Sequence, residues 1–438
     1  VPGAIAALGR DPLRLFEELS ARGPVVRLPL GRAGWHLVSD PQLAREVLVA
    51  RQRDFAKGIV LRRARLLLGD GLLTTDGDGH AARRRIVQPA FHGERLERCG
   101  AVIVERAART AARAGTGGEL EVRREMTDLT LGIVGPALFS ADLTAEAAGV
   151  REALDDVMAT FDALTVLSAP ILVRMGTRRA RRLAAARARL DAVVARLLAE
   201  RRAEPDDRGD LLSLLLAGRD AAGAPLDDAA LRDEIVTMLI AGHETTANAL
   251  AWTLDLLARH PEAQERLHAE LDAVLGGRPA GVADVPALRY VEAVVAESLR
   301  LYPPAWGIAR RARRAVPLGP LRLDRGAIVV ISPWSLGRDP RLWDRPLRFD
   351  PDRWAERSPS RPPPGYLPFG AGARGCVGRP LALLEATLAL ATLAQAWRVM
   401  PVPGVAPAPR PAVTLRPGGG LWLRVEPRRP VGPAPGGR

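Results

Sequence analysis

The stretch FGAGARGCVG, Phe369 to Gly378, carries one of only two cysteines in a chain of 438 residues. A cysteine that only packs sits among apolar side chains. Cys376 instead lies among Gly370, Gly372, Gly375 and Gly378, with Arg374 two residues before it. Glycines let a backbone approach a flat ligand closely. An apolar helical pattern begins directly after the loop, over about residues 378 to 397. A helix N-terminus and a nearby cation both favour a thiolate over a thiol. The sequence therefore predicts an open, electropositive loop that presents a thiolate.

Three uses of such a thiolate can be compared. A nucleophile needs a histidine base and an orienting carboxylate, and none of the six histidines can be assigned to that role. Zinc needs further Cys or His at short spacing, which the surrounding sequence lacks. Axial ligation of a haem iron needs one thiolate and no other protein ligand.

Outward from the loop the chain reads as mostly helical. A short helix within the first 20 residues is followed by a hairpin over 25–38, VVRLPLGRAGWHLV, around a glycine-containing turn. Apolar residues recur at three and four through most of 78–204, until PDDRGD at 205–210 breaks the run. A long helix is predicted over about 227–259, entered through Asp227 and Asp228 and stopped by Pro261. Another covers about 288–301 and ends at Pro303-Pro304. Short strands are expected over 320–332, irregular chain over 333–375, a hairpin around RPGGG at 416–420, and then a Pro/Gly tail without order. No repeat or linker divides the chain.

Polar residues inside apolar helices need partners or a task. AGHETTAN, Ala241 to Asn248, places Glu244 and Thr245 between IVTMLI and ALAWTLDLLA. A threonine hydroxyl can bond back to its own helix and open it locally. ESLR sets Glu297 and Arg300 on one helix face, and HAARR does the same for His80 and Arg84. Cys99, within the helical pattern ERCGAVIVERAA, reads as a packing residue.

Composition excludes several classes. The net charge is +13, but nearly all of it is arginine spread along the chain, with Lys57 as the lone lysine and aromatic content of 4%. A nucleic-acid footprint clusters its cations, so no nucleic acid is expected; a basic face for an acidic protein partner fits better. No run of 18 apolar residues occurs, so no membrane span is expected. Two cysteines build no disulfide framework, and the chain reads as cytoplasmic.

The loop matches the Phe-x-x-Gly-x-Arg-x-Cys-x-Gly signature of cytochrome P450 at Phe369, Gly372, Arg374, Cys376 and Gly378. Further family motifs follow in order, so the sequence resembles that family over nearly its whole length. The resemblance implies the cytochrome P450 fold, mainly α with a minor β portion, as a single haem domain over 1–425 with residues 426–438 as a tail. It implies haem b with Cys376 as the axial iron ligand. His80, Arg84, Arg310, Phe369, Gly370, Arg374 and Gly378 complete the cofactor site, with Arg310 matching a propionate-binding position. Thr245 would steady dioxygen and Glu244 would relay protons. Glu297, Arg300 and Arg353, in PDRW, would form a structural triad that supports the cysteine loop.

The implied activity is a haem-thiolate monooxygenase that inserts one atom of O2 into a hydrophobic substrate: a terpenoid, polyketide or fatty acid. Thr237, Ile240, Ala241, Trp306 and Ile308 match positions that touch substrate in the family. A ferredoxin and its reductase would supply electrons to a monomer, docking where Arg374 and Arg379 lie, because no flavin or iron–sulfur motif is present. Peroxide-driven, desaturating or coupling chemistry on the same fold is the alternative, and a non-catalytic haem-binding protein is a more distant one.

Overall fold

The computed structural model describes residues 8–428, apart from 29, 32, 115–116, 144–145, 167–177, 205 and 356–361. Its helices are α1 (Pro12–Ser20), α2 (Pro41–Arg45), α3 (Ile59–Leu68), α4 (Gly77–Val87), α5 (Glu94–Ala114), α6 (Val122–Phe139), α7 (Ala147–Val166), α8 (Arg178–Ala203), α9 (Leu211–Ala217), α10 (Asp228–Arg259), α11 (Pro261–Leu275), α12 (Arg289–Leu301), α13 (Pro333–Gly337) and α14 (Arg379–Ala396). The strands are β1 (Val25–Leu28), β2 (Trp35–Val38), β3 (Phe55–Lys57), β4 (Gly118–Glu121), β5 (Ile308–Ala312), β6 (Val316–Leu318), β7 (Leu321–Leu323), β8 (Ile328–Ile331), β9 (Trp397–Pro401), β10 (Ala408–Pro411), β11 (Leu415–Gly418) and β12 (Trp422–Pro427). Helix thus dominates, with small sheets, as expected.

Helix α10 is the centre of the core. Asp227 caps it by accepting the Ala230 N–H at 2.8 Å, which satisfies one of the helix's orphan donors. Pro261 opens α11 immediately after it, in the position where proline starts helices best. Most of α10 is buried, as its unbroken apolar composition requires. Helix α6 lies against it, with the Thr130 hydroxyl donating to the His243 carbonyl at 3.1 Å. Gly242 permits that approach, since a Cβ there would stand 2.9 Å from Val134. Leu288 cannot cap α12, and Glu270 of α11 does so instead, accepting the N–H groups of Tyr290 and Val291 at 2.7 and 3.0 Å.

A five-stranded sheet runs β1-β2-β8-β5-β3. β1 and β2 form the expected antiparallel hairpin, Val25 opposite Val38. β2 pairs parallel with β8; β8–β5 and β5–β3 are antiparallel. The β3–β5 register sets Lys57 directly opposite Arg310. Like charges in that relation are destabilising unless something lies between them.

Two expectations at the C-terminal end need correction. The RPGGG segment does not form a hairpin turn. β10 pairs with β11, Pro411 opposite Leu415, so the turn is Ala412–Thr414. Gly419 and Gly420, at φ 78° and 85°, instead redirect the chain from β11 into a different sheet. Residues 426 and 427 are not tail: Glu426 and Pro427 pair with Arg398 and Trp397 in the β12–β9 ladder. Residues 429–438 lie outside the described residues.

Candidate active site

The cysteine loop is closed by its own backbone. Cys376 N–H donates to the Phe369 carbonyl and Gly375 N–H to the Gly372 carbonyl, both at 2.9 Å. Gly370 and Gly372 have φ of 64° and 72°, in the region that favours glycine. Gly372 does not leave ligand room as the sequence suggested; a Cβ there would collide with the Leu48 carbonyl. Gly370 fits that reading better, since a Cβ there would meet only Ile308, at 3.6 Å, among side chains. Phe369 packs on the main core and lies under the Arg379 guanidinium at 5.8 Å. Gly378 stands at the N-cap of α14.

Cys376 retains solvent-accessible surface, but the enclosing protein pushes its thiol up from the ordinary value. The N–H groups of Gly378 and Arg379 and the charges of Arg84 and Arg379 only oppose that shift. This corrects the expected activated thiolate. Arg374 turns away, donating to Asp76 at 3.0 and 2.7 Å and to the carbonyls of Gln52 and Phe55. A coordinating metal deprotonates a thiol outright, so iron ligation needs no prior activation. Among the described residues no group of three His, Cys, Asp or Glu could hold a metal ion.

Around the loop gathers more buried positive charge than its carboxylates match. Arg310 is buried, donates to its neighbour's carbonyl at 3.0 Å, and is pulled down to about 10 by burial and then by Arg374. Lys57 is 5% exposed; its Nζ bonds only the carbonyls of Leu72 and Leu73, at 2.6 and 3.0 Å. Burial pulls its amine down to about 7. Asp76 alone serves Arg374, Arg313 and the Lys57 N–H. His80 is buried on α4, pulled down to about 4 by burial and then by Lys57 and Arg374, and therefore neutral at pH 7. Arg84, one turn on, donates to the Gly375 carbonyl at 2.7 Å and braces the loop. This surplus of donors beside a thiol-bearing loop fits a haem and its two propionates.

Sequence reasoning missed Lys57. A signal existed: in a chain that uses arginine everywhere else, one lysine survives. Lysine tolerates loss of its charge on burial far better than arginine does.

The face of α10 around the motif is open at Ala241 and Thr245, although residues before and after are buried. The Thr245 hydroxyl bonds back to the Ala241 carbonyl at 2.9 Å. Glu244 is 3% exposed. Its Oε1 accepts from Asn248 and Thr414 at 2.9 Å each and from Arg416 Nε at 2.6 Å. Burial raises the carboxyl, but Arg416 and then His243 outweigh it, so Glu244 sits below the usual carboxylate range.

Of the expected substrate contacts, two point elsewhere. Thr237 is buried against Gly71. Trp306 packs 5.7 Å from Phe16 and donates to the Ala412 carbonyl at 2.8 Å, so it is a structural pin. Ile240 is also buried, whereas Ala241 is exposed and Ile308 partly so.

The triad is assembled. Arg300 grips both Glu297 oxygens, at 2.7 and 2.8 Å, and Arg353 reaches Oε1 at 2.8 Å. Asp350 N–H and Trp354 Nε1 join at 3.0 Å each. Arg300 also donates to the carbonyls of Gly337, Pro346 and Arg348. These bonds fasten residues 337–354, and none reaches the cysteine loop itself. A cavity of about 320 Å³ near this segment, lined by Asp255, Arg259, Tyr302, Arg338 and Phe349, shares no residue with the loop.

The sequence model of the family described as Cytochrome P450 matches residues 3–423. The chain is 40% identical to the cyclooctatin synthase of Streptomyces melanosporofaciens, over 97% of this chain and 94% of that protein. It is 37% identical to the cyclooctat-9-en-7-ol 5-monooxygenase of the same organism, over 92% and 90%. It is 36% identical to the pentalenene oxygenase of Streptomyces avermitilis, over 98% and 97%. Among the described residues no helix is long and apolar enough to cross a membrane.

Proposed function

The chain belongs to the cytochrome P450 family and is a haem-thiolate monooxygenase, and from that premise we propose that it oxygenates a largely apolar cyclic substrate of the terpenoid class. Three relatives matched along nearly their whole length are named for making cyclooctatin or for oxygenating cyclooctat-9-en-7-ol or pentalenene. The open stretch of α10 at Ala241 supports an apolar substrate.

The observation that carries the site assignment is the pairing of Lys57 and Arg310 across β3–β5 beside the Cys376 loop. Lys57, His80 and Arg310 would hold the propionates, Arg84 would hold the loop, Arg374 would fix Asp76 beside them, and Cys376 would ligate the iron. When bound, the haem supplies activation of O2 with two electrons, and its thiolate ligand favours O–O cleavage. Thr245 would offer its hydroxyl as a donor at the open face of α10, in place of its bond to the Ala241 carbonyl. Glu244 returns protons to that site from solvent. The protein also excludes water and orients the substrate.

Electrons come from a ferredoxin and its reductase. Arg374 is engaged with Asp76 and does not serve the docking face. Arg53 is exposed next to Gln52, which accepts the Ala373 N–H at the loop tip, and suits an acidic partner.

The test is a spin-state titration of the haem-loaded protein with cyclic terpene hydrocarbons and with fatty acids of similar size. A low- to high-spin shift and coupled product with the former support the proposal. A shift with fatty acids alone refutes it.

A further inference from the structure

The grip on Glu244 comes from a distant strand. Arg416 and Thr414 flank Leu415 at the start of β11. The Leu415 backbone is bonded on both sides: its N–H donates to the Pro304 carbonyl at 2.9 Å, and its carbonyl accepts from Trp252 of α10 at 3.3 Å. The neighbouring turn is held by Trp306 at Ala412. Arg416 is therefore presented to α10 by a segment with little freedom.

The contact is also one-sided. An arginine normally meets a carboxylate with two parallel bonds. Here Arg416 Nε, Thr414 and Asn248 all donate to Oε1. No hydrogen bond among the described residues reaches Oε2, and Arg416 Nη2 is buried without a partner. One acceptor of the acid and one donor of the arginine are left over, which is the complement a bridging water takes.

We propose that Arg416 is the positioning residue for Glu244: from β11 it fixes Oε1, so that Oε2 is the oxygen that exchanges protons with water. The proposal rests on the reading that Glu244 returns protons to the site. Asn248 and Thr414 supply neutral donors to the same oxygen. Arg416 from β11 and His243 on α10 are the charged or titratable groups that bear on the carboxyl, and Arg416 is the stronger. Without Arg416, burial would dominate and the acid would hold its proton more tightly. An opposite charge at such range lowers a carboxyl by about 1–3 pKa units.

The experiment is an infrared pH titration of the haem-loaded protein, with the Glu244 carboxyl band assigned by its loss in Glu244→Gln. Arg416→Gln moves the midpoint up by about 1–3 units, and Arg416→Lys stays near the parent. The pH dependence of product formed per electron moves the same way in Arg416→Gln. Should Arg416→Gln fail to fold, Arg416→Lys and Thr414→Val carry the test. Thr414→Val, which loses a neutral donor, moves the midpoint up by less. An unmoved midpoint in Arg416→Gln, or in Thr414→Val where Arg416→Gln does not fold, overturns the proposal, as does a midpoint in Arg416→Lys that rises as far as loss of the charge would raise it. A moved midpoint, with Glu244→Gln turning over like the parent, upholds Arg416's hold on the carboxyl. That result overturns the proton-return role of Glu244 instead.

Discussion

Replacing Lys57 by methionine should act in opposite directions on the haem-free and haem-loaded protein. In the haem-free protein the amine is a buried cation facing another cation, Arg310, across the β3–β5 ladder. Its affinity for a proton has fallen from 10.5 to about 7. The folded state thus binds this proton less tightly than the unfolded state. Below about pH 7 the folded protein bears the full cost of the charge, and that cost fades as pH rises from about 7 toward 10.5. At 1.36 kcal/mol per unit the ceiling is about 5 kcal/mol. Relaxation and water penetration leave less, so Lys57→Met should stabilise the haem-free protein by about 1–2 kcal/mol at neutral pH, within the range seen when buried ions give way to apolar groups. The parent should gain stability between pH 7 and 9, and the variant should not. With haem, the variant loses a charge-assisted hydrogen bond of about 1.5–3 kcal/mol, weakening haem binding by about 10- to 100-fold. Urea melts of the haem-free proteins and haem titrations followed by the Soret band measure both quantities. A variant that is less stable without haem, or that binds haem as tightly as the parent, would refute the reasoning.

Cys376→Ala should abolish the thiolate-type band of the reduced carbon monoxide complex while Cys99→Ala keeps it; the reverse pattern sinks the ligand assignment. Glu297→Gln should cost about 3–5 kcal/mol, because Arg300 is buried around it. It should appear as lost haem and early unfolding, and a well-folded, haem-replete variant would count against the triad's structural role. Thr245→Ala should leave haem content and substrate affinity nearly unchanged but divert electrons into hydrogen peroxide, measured as product and peroxide per reduced nicotinamide; full coupling would remove Thr245 from proton handling. Burial raises Asp210, but the Arg201 guanidinium and the Ser213 N–H bring it down to about 2. Its folded value lies below its unfolded one, so this stabilisation is complete above about pH 4. It is lost as pH falls toward 2, by about 2–3 kcal/mol, and acid melts of Asp210→Asn should lack that component.

Helix α10 was legible because its ends are marked locally: Asp227 caps its start, and Pro261 opens the next helix just past its end. The cysteine loop was legible because its glycines and Arg374 are fixed by spacing. Pairing at long range could not be read. Nothing near Lys57 announces Arg310, since their opposition depends on the β3–β5 register. Nothing near Arg374 announces Asp76, so a half-buried ion pair passed for a docking charge. Thr237 and Trp306 occupy apolar stretches that could face a ligand or a neighbour equally well. Packing against Gly71 and Phe16 decided the question. RPGGG misled because glycine permits a hairpin turn and a change of sheet alike.

The knot at Glu297 has a consequence for the order in which this chain comes to rest. Residues 344–354 have little regular backbone pairing of their own, only a one-turn helix at Pro351–Trp354. Most of their bonds to the rest of the protein run to one carboxylate and one guanidinium on α12, with Arg266 of α11 adding an exposed ion pair to Asp352. Helix α12 must therefore be formed and seated before this segment has its buried anchor to fold against. Nor can the segment open one bond at a time, because Asp350, Arg353 and Trp354 share a single carboxylate with Arg300. It opens and closes as a unit, with α12 as the memory of where it belongs. Amide exchange within 344–354 should be governed by the release of Glu297, and so the timing of this stretch is written on a helix some fifty residues earlier in the chain.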